Sequence, residues 1–185
     1  MLYTRKGDSG TTKTFGCDQR ISKSSNITEA LGSLDEINSF LGLLKTKSSN
    51  ISFNLATAKV SPSKTIDRIQ QDLFIIQAEI AGSKMSINPK KITAMEKIIN
   101  DIENALPPVK NFVLPGGTRS SALLHFARAL TRAGERKIIA TREKKKIAVS
   151  PATLAYLNRL SSLFYALARQ ANQRAGIKEE YPNYR

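Results

Sequence analysis

The sequence predicts an all-α fold, a five-helix up-down bundle entered through a polar, glycine-containing N-terminal segment. Three observations predict it. Apolar residues recur at three-to-four spacing in five separate stretches. Clusters of Pro, Gly and Ser punctuate those stretches where helices should end. No strand-like alternation competes with them. At 185 residues the chain is long enough to bury one core without disulfides or a structural metal.

Taken in order, residues 1–26 are rich in Gly, Ser, Thr and charge and show no sustained period, as expected of an ordered loop or a disordered arm. From Thr28 the residues Leu31, Leu34, Ile37, Leu41 and Leu44 form the first amphipathic stripe. Lys47 to Ser63 breaks it. Ile66, Ile69, Leu73, Ile76 and Ile80 form the second, ending near Gly82. Ile92, Met95, Ile98, Ile99 and Ile102 form the third, with Thr93 and Glu96 in capping-box spacing and Pro107-Pro108 as its stop. A connector from Lys110 to Gly117 follows. Leu123, Leu124, Ala127, Leu130 and Ile138 then mark a fourth helix running towards Lys146. Ser150 as N-cap and Pro151 in the first turn open the fifth, which Leu154, Leu157, Leu160, Phe164, Leu167 and Ala171 carry towards Gly176. This divides the single domain into an N-terminal loop (1–26), the bundle (27–177) and an irregular tail (178–185).

The formal net charge is +14, from 29 basic and 15 acidic residues. Such an excess suits nucleic acid, an anionic membrane surface, a polyphosphate ligand, or merely a lysine-rich exterior. Its densest run, Arg142 to Lys146, falls at an expected helix C-terminus, where the helix dipole favours cations. Nucleic-acid surfaces interleave aromatics with their cations; this chain has no Trp and only 6% aromatic residues, which argues against that class. The lone Cys17 has no partner for an internal disulfide, so a reducing, cytoplasmic setting is expected. Neither a signal-peptide pattern nor an apolar run of membrane-spanning length, about 20 residues, is present.

Three segments carry chemistry rather than scaffolding. From Thr4 to Lys13, two glycines, four hydroxyl residues and three cations lie close together, the groups a polyphosphate needs. The spacing is not that of a Walker A loop, and a mobile polar terminus has the same composition. Arg128, Arg132 and Arg136 recur every four residues on one helical face, beside Glu135. A triphosphate would neutralise them; so would carboxylates on an exposed salt-bridged face. In the fifth helix, Asn158 and Ser161 border the apolar stripe, suited to reading an adenine or ribose edge or to satisfying a neighbouring backbone. His125 is the only histidine, so there is no metal-binding histidine cluster, and a structural role is expected for it.

Together these segments resemble the ATP:cob(I)alamin adenosyltransferases related to the propanediol-utilisation enzyme. The resemblance spans essentially the whole chain. Its anchors are Tyr3 to Gly10, Arg20 to Lys23, Glu29 to Ser39, Phe112 to Gly117, Leu124 to Arg128, Glu135-Arg136 and Tyr156 to Ser161.

The resemblance implies a helix bundle assembling as a homotrimer with active sites between subunits, and transfer of the 5′-deoxyadenosyl group of ATP to the cobalt of cob(I)alamin, releasing triphosphate. ATP, Mg²⁺ and cobalamin are the implied ligands. The loop is implied to order around ATP, with Thr4, Arg5, Lys6, Gly7, Thr12, Lys13 and Lys23 surrounding the nucleotide. Arg132, Glu135 and Arg136 would hold the triphosphate, and Asn158 would complete the nucleotide site. Asp35 is implied to pair with Arg128 across the subunit boundary, and Phe112 matches the aromatic beneath the corrin. An electron-donor flavoprotein and an adenosylcobalamin-dependent acceptor enzyme are the implied partners, with neither nucleic acid nor membrane. A non-catalytic ATP- or cobalamin-binding sensor would share these ligand contacts, and a basic helical nucleic-acid module is the rival on charge alone. Two positions depart from the family pattern: Ala133 stands where a second arginine is common, and Ser162 where an aspartate is common.

Overall fold

The computed structural model describes residues 3–14, 19–47, 62–144 and 147–184. Cys17, Lys145, Lys146 and most of the break between the first two apolar stripes lie outside them. Five helices dominate: α1 (Asn26–Lys47), α2 (Pro62–Ile80), α3 (Pro89–Asn104), α4 (Arg119–Glu143) and α5 (Pro151–Arg174). The N-terminal segment adds a feature that periodicity does not reveal. Strands β1 (Thr11–Lys13) and β2 (Arg20–Ser22) form an antiparallel pair, with Thr12 opposite Ile21. Three residues a side are too few to show an alternating pattern.

Side-chain ties fix the helix directions. Thr141 Oγ1 donates to the Asn26 carbonyl at 3.1 Å and Lys137 pairs with Glu29, so α4 runs antiparallel to α1. Gly134 lets the two helices approach closely; a Cβ there would lie 3.0 Å from Ile37. Asn158 meets Glu135 and Asn172 meets Thr118, so α5 runs back along α4. Tyr156 donates to Asp72 at 2.9 Å, while Ser150 N–H and the Thr153 hydroxyl bond Glu79, which makes α2 and α5 antiparallel. The Glu96–Arg159 pair joins α3 to α5. The result is the up-down bundle, with α5 at its centre.

The predicted stripes are the core. Leu34, Ile37, Leu41, Leu73, Ile76, Ile102, Leu124, Ile138, Tyr156, Leu157, Leu160 and Phe164 are fully buried or nearly so. Each large apolar side chain so buried contributes about 1.5–3 kcal/mol relative to exposure. No helix among the described residues is long and apolar enough to cross a membrane.

Helix ends follow local chemistry, with one correction. Ser150 caps α5 by accepting from Thr153 N–H, with Pro151 in the first turn. Gly82 (φ +99°) closes α2: Gly82 N–H bonds the Glu79 carbonyl and Ser83 N–H that of Ala78, the paired bonds of a glycine-terminated helix. The Thr93–Glu96 spacing does not mark the start of α3. That helix begins a turn earlier, at Pro89, where Asn88 accepts from Lys90 N–H at 2.9 Å. Glu96 instead reaches Arg159, so a cap-like spacing inside a helix was serving an interhelical ion pair.

Candidate functional site

The site is built around α4. Thr118 caps its N-terminus, the side chain accepting from Ser121 N–H at 3.1 Å. From there the helix turns His125, Arg128 and Arg132 towards a cleft of about 850 Å³. The opposite walls are Ser161, Ser162 and Tyr165 of α5, the connector Val109 to Val113, and Tyr181, Pro182 and Tyr184 of the tail. Phe112 is 81% exposed and Tyr184 84%. Two aromatic side chains so poorly covered at the rim of one cleft favour an apolar ligand surface.

The connector that carries Phe112 is fastened at three points. Arg169 of α5 donates from Nη2 to the Pro107 carbonyl at 2.9 Å. Leu114 N–H donates to the Glu180 carbonyl at 2.8 Å, joining connector to tail. Asn172 donates to the Gly116 carbonyl at 3.1 Å and accepts from Thr118 N–H at 2.9 Å. Gly117 is required there: its φ is +88°, and a Cβ would lie 2.4 Å from the Asn172 side chain.

Electrostatics change along the cleft. His125 is 3% exposed and its ring packs edge-on against Tyr165, centroids 5.9 Å apart. Burial, and then the neighbouring Arg128 guanidinium, hold its pKa below the ordinary histidine value, so the imidazole is kept neutral. Burial raises the Tyr165 hydroxyl. Among the described residues His125 Nδ1 and Arg128 Nε are buried without a hydrogen-bond partner. Unpaired polar atoms of this kind are costly, and both belong to residues lining the cleft. Two turns beyond Arg128, Glu135 accepts from Asn158 at 3.3 Å, and Arg159 also donates to Asn158 at 2.7 Å. Arg132 and Arg136 are exposed, and no ion pair reaches any of the three ladder arginines among the described residues. Among the described residues the salt-bridged reading of that face lacks its carboxylates.

The N-terminal loop forms a second cationic element. Arg20 organises it, donating to Thr11 Oγ1 and the Thr11 carbonyl, each at 2.7 Å, and to the Lys6 carbonyl. Arg5 adopts a left-handed backbone (φ +58°), as does Gly10 (φ +77°). Lys23 N–H bonds the Gly10 carbonyl at 2.9 Å, and the Lys23 ammonium lies over Gly7, 3.1 Å from where a Cβ would stand. Thr28 ties the loop to the first turn of α1: its hydroxyl lies within hydrogen-bond distance of the Ser22, Lys23 and Ser25 carbonyls, any one of which can take its proton.

The structure thus brings Phe112, Arg128 and Arg132 into one cleft and joins Glu135 to Asn158. Thr4, Arg5, Lys6, Gly7, Thr12, Lys13 and Lys23 share the hairpin, outside that cleft's lining, as are Arg136 and the exposed Asp35. No ion pair joins Asp35 to Arg128 within the chain.

A model of the family described as cobalamin adenosyltransferase matches residues 2–171. The chain belongs to this family. It is 36% identical over 181 residues to the corrinoid adenosyltransferase of Bacillus subtilis, covering 95% of this chain and 89% of that one. It is 35% identical to the corrinoid adenosyltransferase PduO of Citrobacter freundii, covering 91% of this chain and 49% of the relative. The chain therefore spans about half the length of that longer relative. A variant PduO-type ATP:corrinoid adenosyltransferase from Lactobacillus reuteri, complexed with cobalamin and ATP, superposes with a TM-score of 0.85 at 28% identity, covering 100% of this chain and 97% of that one.

As a cobalamin adenosyltransferase family member the chain has a site richer than its motifs. Tyr165, Tyr181 and Tyr184 line the cleft, and Arg169 and Glu179 tie the tail beside it, yet none of them stood out in the sequence. Tyr165 and Arg169 fall within the periodic pattern of α5 and read as ordinary helix residues. The tail read as irregular, although two tyrosines beside Glu179-Glu180 in so basic a chain were a signal of a docked segment.

Proposed function

We infer that this chain transfers the 5′-deoxyadenosyl group of ATP to the cobalt of cob(I)alamin, forming adenosylcobalamin and releasing triphosphate. The observation that carries the reading is the exposed Phe112 side chain set across one cleft from Arg128 and Arg132. An apolar wedge facing cations suits a broad macrocycle on one side and a polyanionic leaving group on the other. The two electrons of Co(I) form the Co–C5′ bond, the C5′–O bond breaks, and its electron pair leaves with triphosphate. No side chain has to act as nucleophile or general base. The protein contributes alignment and compensation of the charge developing on the leaving group.

In this reading Arg132 and Arg136 receive the triphosphate, with Glu135 and Asn158 completing the nucleotide site. Thr4 to Gly7, Thr12, Lys13 and Lys23 close over ATP. Phe112 occupies the lower face of the corrin and keeps an axial ligand away, which makes Co(II) easier to reduce. A Mg²⁺ ion arriving with ATP would be bound through the triphosphate oxygens and would share in neutralising the leaving group. A homotrimer completes the site: the hairpin lies outside the cleft lining, and the exposed Asp35, with no ion pair among the described residues, is left to pair with Arg128 across the subunit boundary. The T-shaped Phe40–Phe126 pair, with Phe126 53% and nearby Leu43 49% exposed, supplies apolar surface for such an interface. A cytoplasmic flavoprotein reductant and an adenosylcobalamin-dependent acceptor enzyme fit the substrate and product.

Anaerobic incubation with chemically reduced cobalamin and MgATP tests the reading. The absorbance change of cobalt–carbon bond formation and one triphosphate per product are expected. ATP binding without either product would leave a sensor and remove the enzyme assignment.

A further inference from the structure

We propose that Arg169 and Glu179 form a latch that positions both walls of the corrin side of the cleft, making Arg169 a positioning residue for the Phe112 wedge. The proposal rests on reading the cleft as the corrin site. Arg169 is 6% exposed on the last full turns of α5. Its Nε donates to Glu179 Oε1 at 2.7 Å and its Nη2 to Glu179 Oε2 at 3.0 Å, a two-pronged pair. The same Nη2 donates to the Pro107 carbonyl at 2.9 Å, at the start of the connector that carries Phe112. One guanidinium therefore holds two segments that share no helix. The tail it holds then bonds the connector again, Leu114 N–H to the Glu180 carbonyl at 2.8 Å.

The arrangement closes a ring: Arg169, Glu179, Glu180, Leu114, Phe112 and back through Pro107. Tyr181, Pro182 and Tyr184 leave that ring directly into the cleft, opposite Arg128 and Arg132. A bidentate ion pair with its guanidinium buried and its carboxylate partly buried is a demanding way to fasten a short tail, because it removes much of the water from both charges. Apolar contacts alone would fasten a tail without fixing its register. The fork of Arg169 specifies one arrangement, and the two walls inherit it. A lysine supplies the charge without the planar fork, so it cannot make all three bonds with the same geometry.

The experiment compares Arg169→Ala, Arg169→Lys and Glu179→Gln with Phe112→Ala, measuring KM for cob(I)alamin and for ATP separately, kcat, and the fraction of bound cob(II)alamin lacking its lower ligand by electron paramagnetic resonance. Arg169→Ala is expected to raise the corrinoid KM about 10- to 100-fold and to deplete the lower-ligand-free signal, since small misplacements of a positioning group cost this much. The KM for ATP stays within about twofold, because no ATP-site residue contacts the latch. Arg169→Lys and Glu179→Gln, which keep side-chain volume, are expected to show the same split at smaller size and serve if Arg169→Ala fails to fold. A residue that merely held the bundle together would lower the active fraction, and so kcat, without moving either KM or the spectrum; that result overturns the latch. If Phe112→Ala changes the spectrum while all three latch variants leave it and the corrinoid KM unaltered, the latch is wrong and the cleft assignment stands. If Phe112→Ala is equally silent, the corrin site lies elsewhere and the latch falls with it.

Discussion

The two halves of α4 make a pointed contrast. Its N-terminal half, from Arg119 to Arg128, turns one face to a cleft walled by the connector, α5 and the tail of the same chain. Its C-terminal half presents exposed Arg132 and Arg136 beyond the hairpin that rests on the first turn of α1, and no carboxylate of the chain pairs with either arginine among the described residues. The first half is finished by packing against its own chain, apart from the unpaired His125 Nδ1 and Arg128 Nε. The second presents two solvated guanidinium groups, Arg132 and Arg136, open to an anion. The chain therefore packs its apolar wall by itself and leaves its polar wall open to a ligand.

The largest expected effect lies where the two halves meet. Arg132→Ala should lower kcat by about 10²- to 10³-fold, the cost of removing one group that stabilises charge developing in the transition state. The thermal midpoint should move by no more than a few degrees, because the side chain is exposed and unpaired. Near-normal turnover in a folded Arg132→Ala protein would detach the arginine ladder from the chemistry.

Gly117→Ala attacks the finished half instead. The left-handed backbone and the 2.4 Å approach to Asn172 leave no room for a methyl group. Strain of this kind costs on the order of 1–3 kcal/mol, and displacement of the Asn172 bonds adds to it. Urea denaturation should show the loss, with Asn172→Ala less severe. An unchanged midpoint would mean that the turn relaxes freely and does not hold the connector.

Lys23→Ala probes the cationic half at its other edge. The ammonium lies over Gly7, within the N-terminal loop. Its removal should raise the KM for ATP by about three- to tenfold, as expected of one charge-assisted contact, and reduce the salt dependence of that KM. The corrinoid KM should not change. Equal effects on both substrates would place Lys23 outside the nucleotide site.

The same contrast explains what could be read from the sequence. The bundle was legible because each stripe, such as Ile66 to Ile80, buries one helical face, and helix periodicity is a local signal. Arg128, Arg132 and Phe112 were legible through motifs that resemble a family. The hairpin was not, since β1 and β2 are joined by backbone bonds that leave no side-chain pattern over three residues. The Arg169–Glu179 pair was not legible either. Its partners are ten residues apart, across a helix end, and nothing in their spacing distinguishes a buried ion pair from two solvated charges. The start of α3 was misplaced because Thr93 and Glu96 satisfy a capping pattern that is equally available inside a helix.

His125 gives the smallest expected effect and the finest test of the finished half. Its folded pKa is held below the ordinary value by burial and by Arg128, so the unfolded chain takes up a proton more readily than the folded one. The stability it contributes is therefore fully present above the unfolded value, about 6.5. It is lost as pH falls from there through the depressed folded value. Chemical denaturation between about pH 7.5 and 5 should show stability declining across this window. His125→Gln should flatten that decline while retaining a polar group of similar reach towards Tyr165. A decline that survives in His125→Gln would mean that another group senses the pH and that the imidazole is not the element on which the cleft's packing depends.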